Sequence, residues 1–234
     1  MPAIEIRAYR AEDREAVRRL CADTGFLGEP IDPVFEDREL FADYLTSYYL
    51  RCEPDATLVC EVDGVVMGYL MGCRRPLRYQ AWQAVANLPL AIRALHRWHT
   101  RPYGAASRAF LRWIVFNAWR EIPAAPRVTP HFHINLQPAA RSVRYTRRLM
   151  EAFLEMLHEA GHKRVCGQMV SYEDRRTDAL FERYGFQVLH RSEISKYRDV
   201  RAERVFICTL VKDLTAGRRL AMVPRAERDR SRAD

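Results

Sequence analysis

Apolar and polar positions alternate over IEIRAYR (4–10), the two-residue period of a half-buried strand. The period then lengthens: in AEDREAVRRLCADTG, Val17, Leu20 and Cys21 fall at helical spacing. FEDRELFADYLTSYYL (35–50) predicts a second helix, with Leu40, Phe41, Tyr44, Leu45, Tyr48 and Tyr49 on one stripe. TLVCEVDGVVMGYLMGC (57–73) predicts two strands joined at Asp63-Gly64, a dipeptide that accepts the positive φ angles of a tight hairpin turn.

Two helices rich in Trp, Leu and Ile are predicted over 79–100 and 103–120, broken around Arg101-Pro102-Tyr103-Gly104. RVTPHFHINLQ (127–137) returns to strand spacing, with His131, His133 and Asn135 on one face and Phe132, Ile134 and Leu136 on the other. A helix over about 141–160 gathers Tyr145, Leu149, Phe153, Met156 and Leu157 on one side and stops at Gly161. KRVCGQMV (163–170) predicts a buried strand. Ser171, with Asp174 three residues on, predicts the cap of a helix ending near Gly185. Strands over about 186–195 and 204–211 precede a charged tail (215–234), whose last ten residues are expected to be disordered. The order is β-α-α-β-β, an inserted helical pair at about 75–126, then β-α-β-α-β-β. It predicts one α/β (α+β) domain over 1–214.

Composition changes this picture in one place. Apolar content of 48% with 29% charged residues is that of a globular chain, and no apolar run reaches the length of a membrane span. The N-terminus lacks the basic and apolar regions of a signal peptide, so a cytoplasmic location is expected. Six cysteines stand singly without zinc or redox spacing and are read as buried thiols. No metal site is predicted, since His131-x-His133 offers two ligands and no third. The net charge of +8, however, is local: ten arginines face the single acid Glu121 between Arg74 and Pro130, and all four tryptophans lie there too. This insertion suits a lid over a pocket or a homodimer contact, and next an anionic membrane surface. A nucleic-acid contact ranks last.

The phrases IRAYRAEDREAVRRLC, VCEVDGVVMGYLMG, HINLQPAARSVRYTRRLMEAFLEMLHEAG and DALFERYGFQV, in this order and spacing, resemble the GNAT superfamily of acyl-CoA-dependent N-acyltransferases. The resemblance spans the chain apart from the insertion and the tail. It implies a mixed central sheet, flanked by helices, that splays open after the strand ending near Leu136 and admits the pantetheine arm of acetyl-CoA or another acyl-CoA. The helix after that strand then points its N-terminus at the diphosphate. The family loop Arg/Gln-x-x-Gly-x-Gly/Ala falls on Arg141, Ser142, Val143, Arg144, Tyr145 and Thr146, which keeps the leading arginine and loses both small residues. Two outcomes stay open: Arg144 swings out as a charge-assisted partner of the diphosphate, or it fills the cradle. The late helix of many relatives carries an asparagine near the pantetheine and a tyrosine that protonates the leaving thiolate. The matching positions are Asp174 and Phe181, and phenylalanine has no proton to give. Tyr172 and Tyr184 are neighbouring substitutes, the latter about 60° around the helix from Phe181.

The implied function is transfer of an acetyl or other acyl group to a small-molecule or peptide amine by direct attack on the thioester. The alternative is a catalytically inactive descendant of the fold that serves as a binding or interaction protein. His133 or His131 is the expected general base, because imidazole titrates in the useful range. Glu29, Asp32, Glu36 and Asp37, between the first two helices, suit either a cationic amine or helix capping and solvation.

Overall fold

The computed structural model describes residues 4–100, 103–173 and 178–215. Its centre is a seven-stranded sheet in the order β1-β2-β3-β4-β5-β7-β6. Strand β1 (Ile4–Ala8) pairs antiparallel with β2 (Thr57–Val62), which turns back into β3 (Val65–Cys73). Asp63 (φ 49°) and Gly64 (φ 82°) both adopt the left-handed conformation that a tight two-residue hairpin requires. β4 (His131–Leu136) adds antiparallel to β3, and on the far side β5 (Arg164–Tyr172), β7 (Val205–Asp213) and β6 (Gln187–Glu193) form a second antiparallel group.

A short parallel contact joins the two groups. β4 and β5 are in register only at His131–Cys166 and Phe132–Gly167. Both strands continue past that point, β5 pairing with β7 as far as Tyr172, so a wedge opens between them. The splay expected beyond Leu136 therefore begins four residues earlier, because each strand follows its antiparallel neighbour rather than its parallel one.

Helices α1 (Arg14–Asp23) and α2 (Arg38–Cys52) cover one face, where Val17, Leu20, Tyr48 and Tyr49 pack on Val59, Tyr69 and Met71. Between β3 and β4 the chain forms α3 (Pro76–Thr100), α4 (Ala105–Phe116) and the single turn α5 (Ala118–Glu121), one short helix more than the expected pair. The opposite face carries α6 (Val143–Glu159) and α7 (Asp178–Arg183), with Leu149, Phe153 and Leu157 on Leu70, Phe132 and Leu136. Gly72 is required there: a Cβ would lie 2.1 Å from the Phe153 ring.

Two local expectations are corrected. Ser171 does not cap a helix; it is a buried residue of β5 whose Oγ lies 3.2 Å from the Cys208 Sγ on β7, and Asp174 lies outside the described residues. Tyr44 is 53% exposed and so leaves the buried stripe of α2. The disorder expected of the last ten residues also concerns positions outside the described residues. All six cysteines are free thiols.

Candidate acyl-transfer site

The wedge is lined by main chain. The Pro130 carbonyl accepts from Cys166 N–H at 2.8 Å, so even-numbered positions of β4 direct their backbone groups towards β5. Past Phe132 those groups belong to Ile134 and Leu136, which have no β5 rung opposite them. Backbone groups withdrawn from a ladder need another partner. Arg141 supplies one: its Nε donates to the Leu136 carbonyl at 3.1 Å, while its Nη2 donates to the Gly28 carbonyl on the α1–α2 loop. Its Nη1 also lies 3.8 Å from a Glu29 carboxylate oxygen.

The first turn of α6 sits beside this opening. Ser142 caps it, its Oγ accepting from Tyr145 N–H at 3.2 Å and its carbonyl from Thr146 N–H at 3.2 Å. The amides of Val143 and Arg144 precede the first intrahelical bond and remain available to an anion. The turn contains no acid. Arg144 is exposed and makes no hydrogen bond or ion pair among the described residues, whereas Arg147 is paired with Glu151 at 2.8 Å. Tyr145 packs against the α6-side core. The first arginine of the loop is thus turned to the α1–α2 loop, and the second is unpaired among the described residues.

His131, His133 and Asn135 lie on the α1/α2 face. The Tyr49 hydroxyl is 3.0 Å from His131 Nε2, and the Tyr79 ring meets the His131 ring edge-on at 4.7 Å. Asn135 Nδ2 donates to the Tyr69 hydroxyl at 2.8 Å. His133 packs edge-on to Tyr49 at 5.4 Å and makes no hydrogen bond among the described residues. Burial, with the neighbouring imidazole, lowers His131 to about 3, and burial lowers His133 to about 4. Both rings are therefore neutral near pH 7. Burial likewise raises the hydroxyls of Tyr49 and Tyr69 well above the ordinary phenol range.

Phe181 is a core residue, 5% exposed, and Tyr184 packs against the same α6-side cluster. The sheet therefore separates Tyr184 from the two histidines. The partners Tyr49, Tyr69 and Tyr79 escaped sequence reasoning, because neither a helical apolar stripe nor a buried strand reveals which of its tyrosines will meet the polar residues of β4.

The acids of the α1–α2 loop are engaged within the chain. Asp37 caps α2 through Leu40 N–H at 3.0 Å, accepts from the Tyr103 hydroxyl at 2.7 Å and pairs with Arg97. Glu36 accepts from Gly104 N–H at 3.0 Å, and Asp32 pairs with Arg38 at 2.6 Å. Capping accounts for Asp37, whereas Glu36 holds a loop amide and Asp32 an ion pair. Through these bonds the insertion is sewn to the loop. Phe110 and Trp113 of α4 pack with Phe26, Phe35 and Tyr197 over Tyr172 of β5. Glu121 accepts from Trp113 Nε1 at 2.6 Å and from Ser195 N–H at 2.6 Å, which anchors the far end of the insertion to the β6–β7 connection. Among the described residues no three His, Cys, Asp or Glu side chains converge on a metal position, and no helix is long and apolar enough to cross a membrane.

No protein-family model and no curated protein sequence matches this chain. Solved structures do. The crystal structure of SsHAT is similar at 28% identity and a TM-score of 0.61, over 91% of this chain and 99% of that one. An N-acetyltransferase from Staphylococcus aureus Mu50 shares 13% identity (TM-score 0.52, 91% and 99% covered). A Drosophila melanogaster polyamine N-acetyltransferase shares 15% (TM-score 0.52, 90% and 100% covered). The mixed sheet, its splay and the helix at the opening give the chain a GNAT-like fold, shared with these structures.

Proposed function

We propose that this protein is an acyl-CoA-dependent N-acyltransferase that moves an acetyl or other acyl group onto an amine. The observation that carries the reading is the wedge: unladdered backbone at Ile134 and Leu136 beside a helix N-terminus with free amides. An extended arm bearing amides complements such an edge, much as an added strand does, and a diphosphate suits the amides of Val143 and Arg144 with the Arg144 guanidinium. In the reaction the amine nitrogen attacks the thioester carbon, a C–N bond forms, the C–S bond breaks and the sulfur leaves as the thiol. His133 is the proposed base, since it is neutral and its ring nitrogens make no hydrogen bond among the described residues, whereas His131 is tied to Tyr49. Tyr184 is the proposed proton donor to sulfur from the other face of the sheet, which the open wedge would connect. Phe181 would line the pantetheine side, as the family pattern implies. The acceptor is a small-molecule or peptide amine.

Calorimetric titration with CoA and acetyl-CoA, followed by thiol release in the presence of an amine panel, tests the reading. Binding accompanied by amine-dependent thiol release is expected. Absence of heat at millimolar CoA would remove acyl transfer altogether, and binding without release to any amine would favour the inactive binding protein.

A further inference from the structure

Helix α3 is apolar on two opposite sides, and the chain covers only one. Its inner side packs Tyr79 and Trp82 against the α1/α2 cluster and Leu90 and Ala94 against the cluster under α4. The arginines point inward as well: Arg93 pairs with Asp43 at 2.6 Å and Arg97 with Asp37. Solvent instead meets Leu77 (66% exposed), Val85 (75%), Leu88 (65%), Ile92 (60%) and Leu95 (61%). No residue from 79 to 92 carries a charge. A helix that is apolar all round belongs in an interior, so this outer side lacks its cover.

We infer that the cover is a second copy of this chain, whose α3 lies antiparallel across this one on a two-fold axis at Leu88. Two observations favour that occupant. The first is register: in an antiparallel pair centred on Leu88, residues whose numbers are equidistant from 88 share one level. Val85 then meets Ala91, Ile92 meets Ala84 and Leu95 meets Ala81, so each large side chain faces an exposed alanine. A self-matching surface of this kind is what a two-fold interface needs, and small residues opposite large ones let helices approach to about 8–10 Å. The second is area. The five exposed large side chains present on the order of 600 Å², at the upper limit for the largest patch on a monomer and most of the roughly 800 Å² per partner of a standard interface. An anionic lipid surface fits this side of α3 less well, because the helix's own arginines are turned away from it: Arg93 and Arg97 are spent in ion pairs, and Arg78 donates to the Cys52 carbonyl.

Sedimentation equilibrium of the full chain at micromolar concentration is expected to return twice the 27.4 kDa chain mass. Leu88→Glu, which sets two carboxylates together at the axis, is expected to return a monomer with an unchanged far-UV circular-dichroism spectrum, since the site is exposed in the single chain. Val85→Lys and Ala91→Glu, each weakened alone, are expected to associate with one another on mixing. A monomeric wild type, a Leu88→Glu variant that stays dimeric, or no rescue in the mixture would each overturn the proposal. So would a wild type that stays monomeric and co-sediments with phosphatidylglycerol vesicles, which would assign the surface to lipid.

Discussion

The Tyr49 hydroxyl and His131 Nε2, 3.0 Å apart, tie α2 to β4 beside the rung where the wedge begins. That bond occupies one histidine, whereas its neighbour, His133, makes no hydrogen bond among the described residues. The two should answer differently to mutation. His133→Ala is expected to lower kcat/KM by roughly 10²–10⁴, the usual contribution of a positioned base, with CoA affinity unchanged. Tyr49→Phe is expected to cost about 1 kcal/mol of stability through the lost hydrogen bond, with little effect on the chemical step. Single-turnover kinetics and urea unfolding separate the two.

Acid should destabilise this fold well before its carboxylates titrate. The unfolded histidines bind protons near 6.5, whereas the folded ones are lowered to about 3 and about 4. Between those values the unfolded chain holds more protons, so stability is complete above 6.5 and falls as pH drops through 6 and 5 towards 4. For His133 the interval corresponds to about 3 kcal/mol. Urea midpoints at pH 7, 5.5 and 4.5 should fall steadily in the wild type, and His133→Gln should flatten the slope.

Arg144→Glu should move two properties in opposite directions. An acid in the first turn of α6 complements the helix dipole by about 0.3–1 kcal/mol, so the melting temperature should rise slightly. The same charge next to a diphosphate should weaken CoA at least tenfold. Arg141→Ala, which frees the Leu136 carbonyl, is expected to leave CoA affinity unchanged or improved. A tenfold loss with Arg141→Ala, read by calorimetry, would place the phosphate on the first arginine instead.

Asp37 joins three elements, and Asp37→Ala should cost on the order of 2–4 kcal/mol through a lost helix cap and a broken buried network. Burial opposes the charged form of this carboxyl, but the Tyr103 hydroxyl and Arg97 outweigh it and hold its pKa below the usual range. Its contribution is therefore present above the ordinary carboxylate pKa and is lost as pH falls through the lowered one. Hydrogen exchange should show lost protection at the Leu40 amide and along α4.

Gly167 stands at the last rung before the wedge, and a Cβ there would lie 2.9 Å from the Phe132 ring. Gly167→Ala is expected to cost about 1–3 kcal/mol by overpacking. Thermal unfolding measures this, and a neutral result would mean that the Phe132 ring can move aside.

Local pattern was enough for much of this. The turn at Asp63-Gly64, the alternation that puts His131 and His133 on one face, and the amphipathic run of α6 were all legible, since each depends on residues a few positions apart. Ser171 shows where that stops: a serine followed three residues later by an acid matches a helix cap, but pairing with β7 35 residues downstream makes it strand. Glu36 and Asp37 of the α1–α2 loop were ambiguous for the same reason, because their partners Arg97, Tyr103 and Gly104 come from the insertion.

The order of residues by itself determined the elements, the apolar faces and the family likeness, because periods of two and 3.6 are properties of neighbouring positions. Tertiary structure alone decided where β4 leaves β5, which arginine of the loop stays free, how far burial lowers the histidines, and that α3 turns an apolar side to solvent. Those outcomes depend on which distant segments compete for the same backbone groups and the same surface, and a linear pattern does not record that competition.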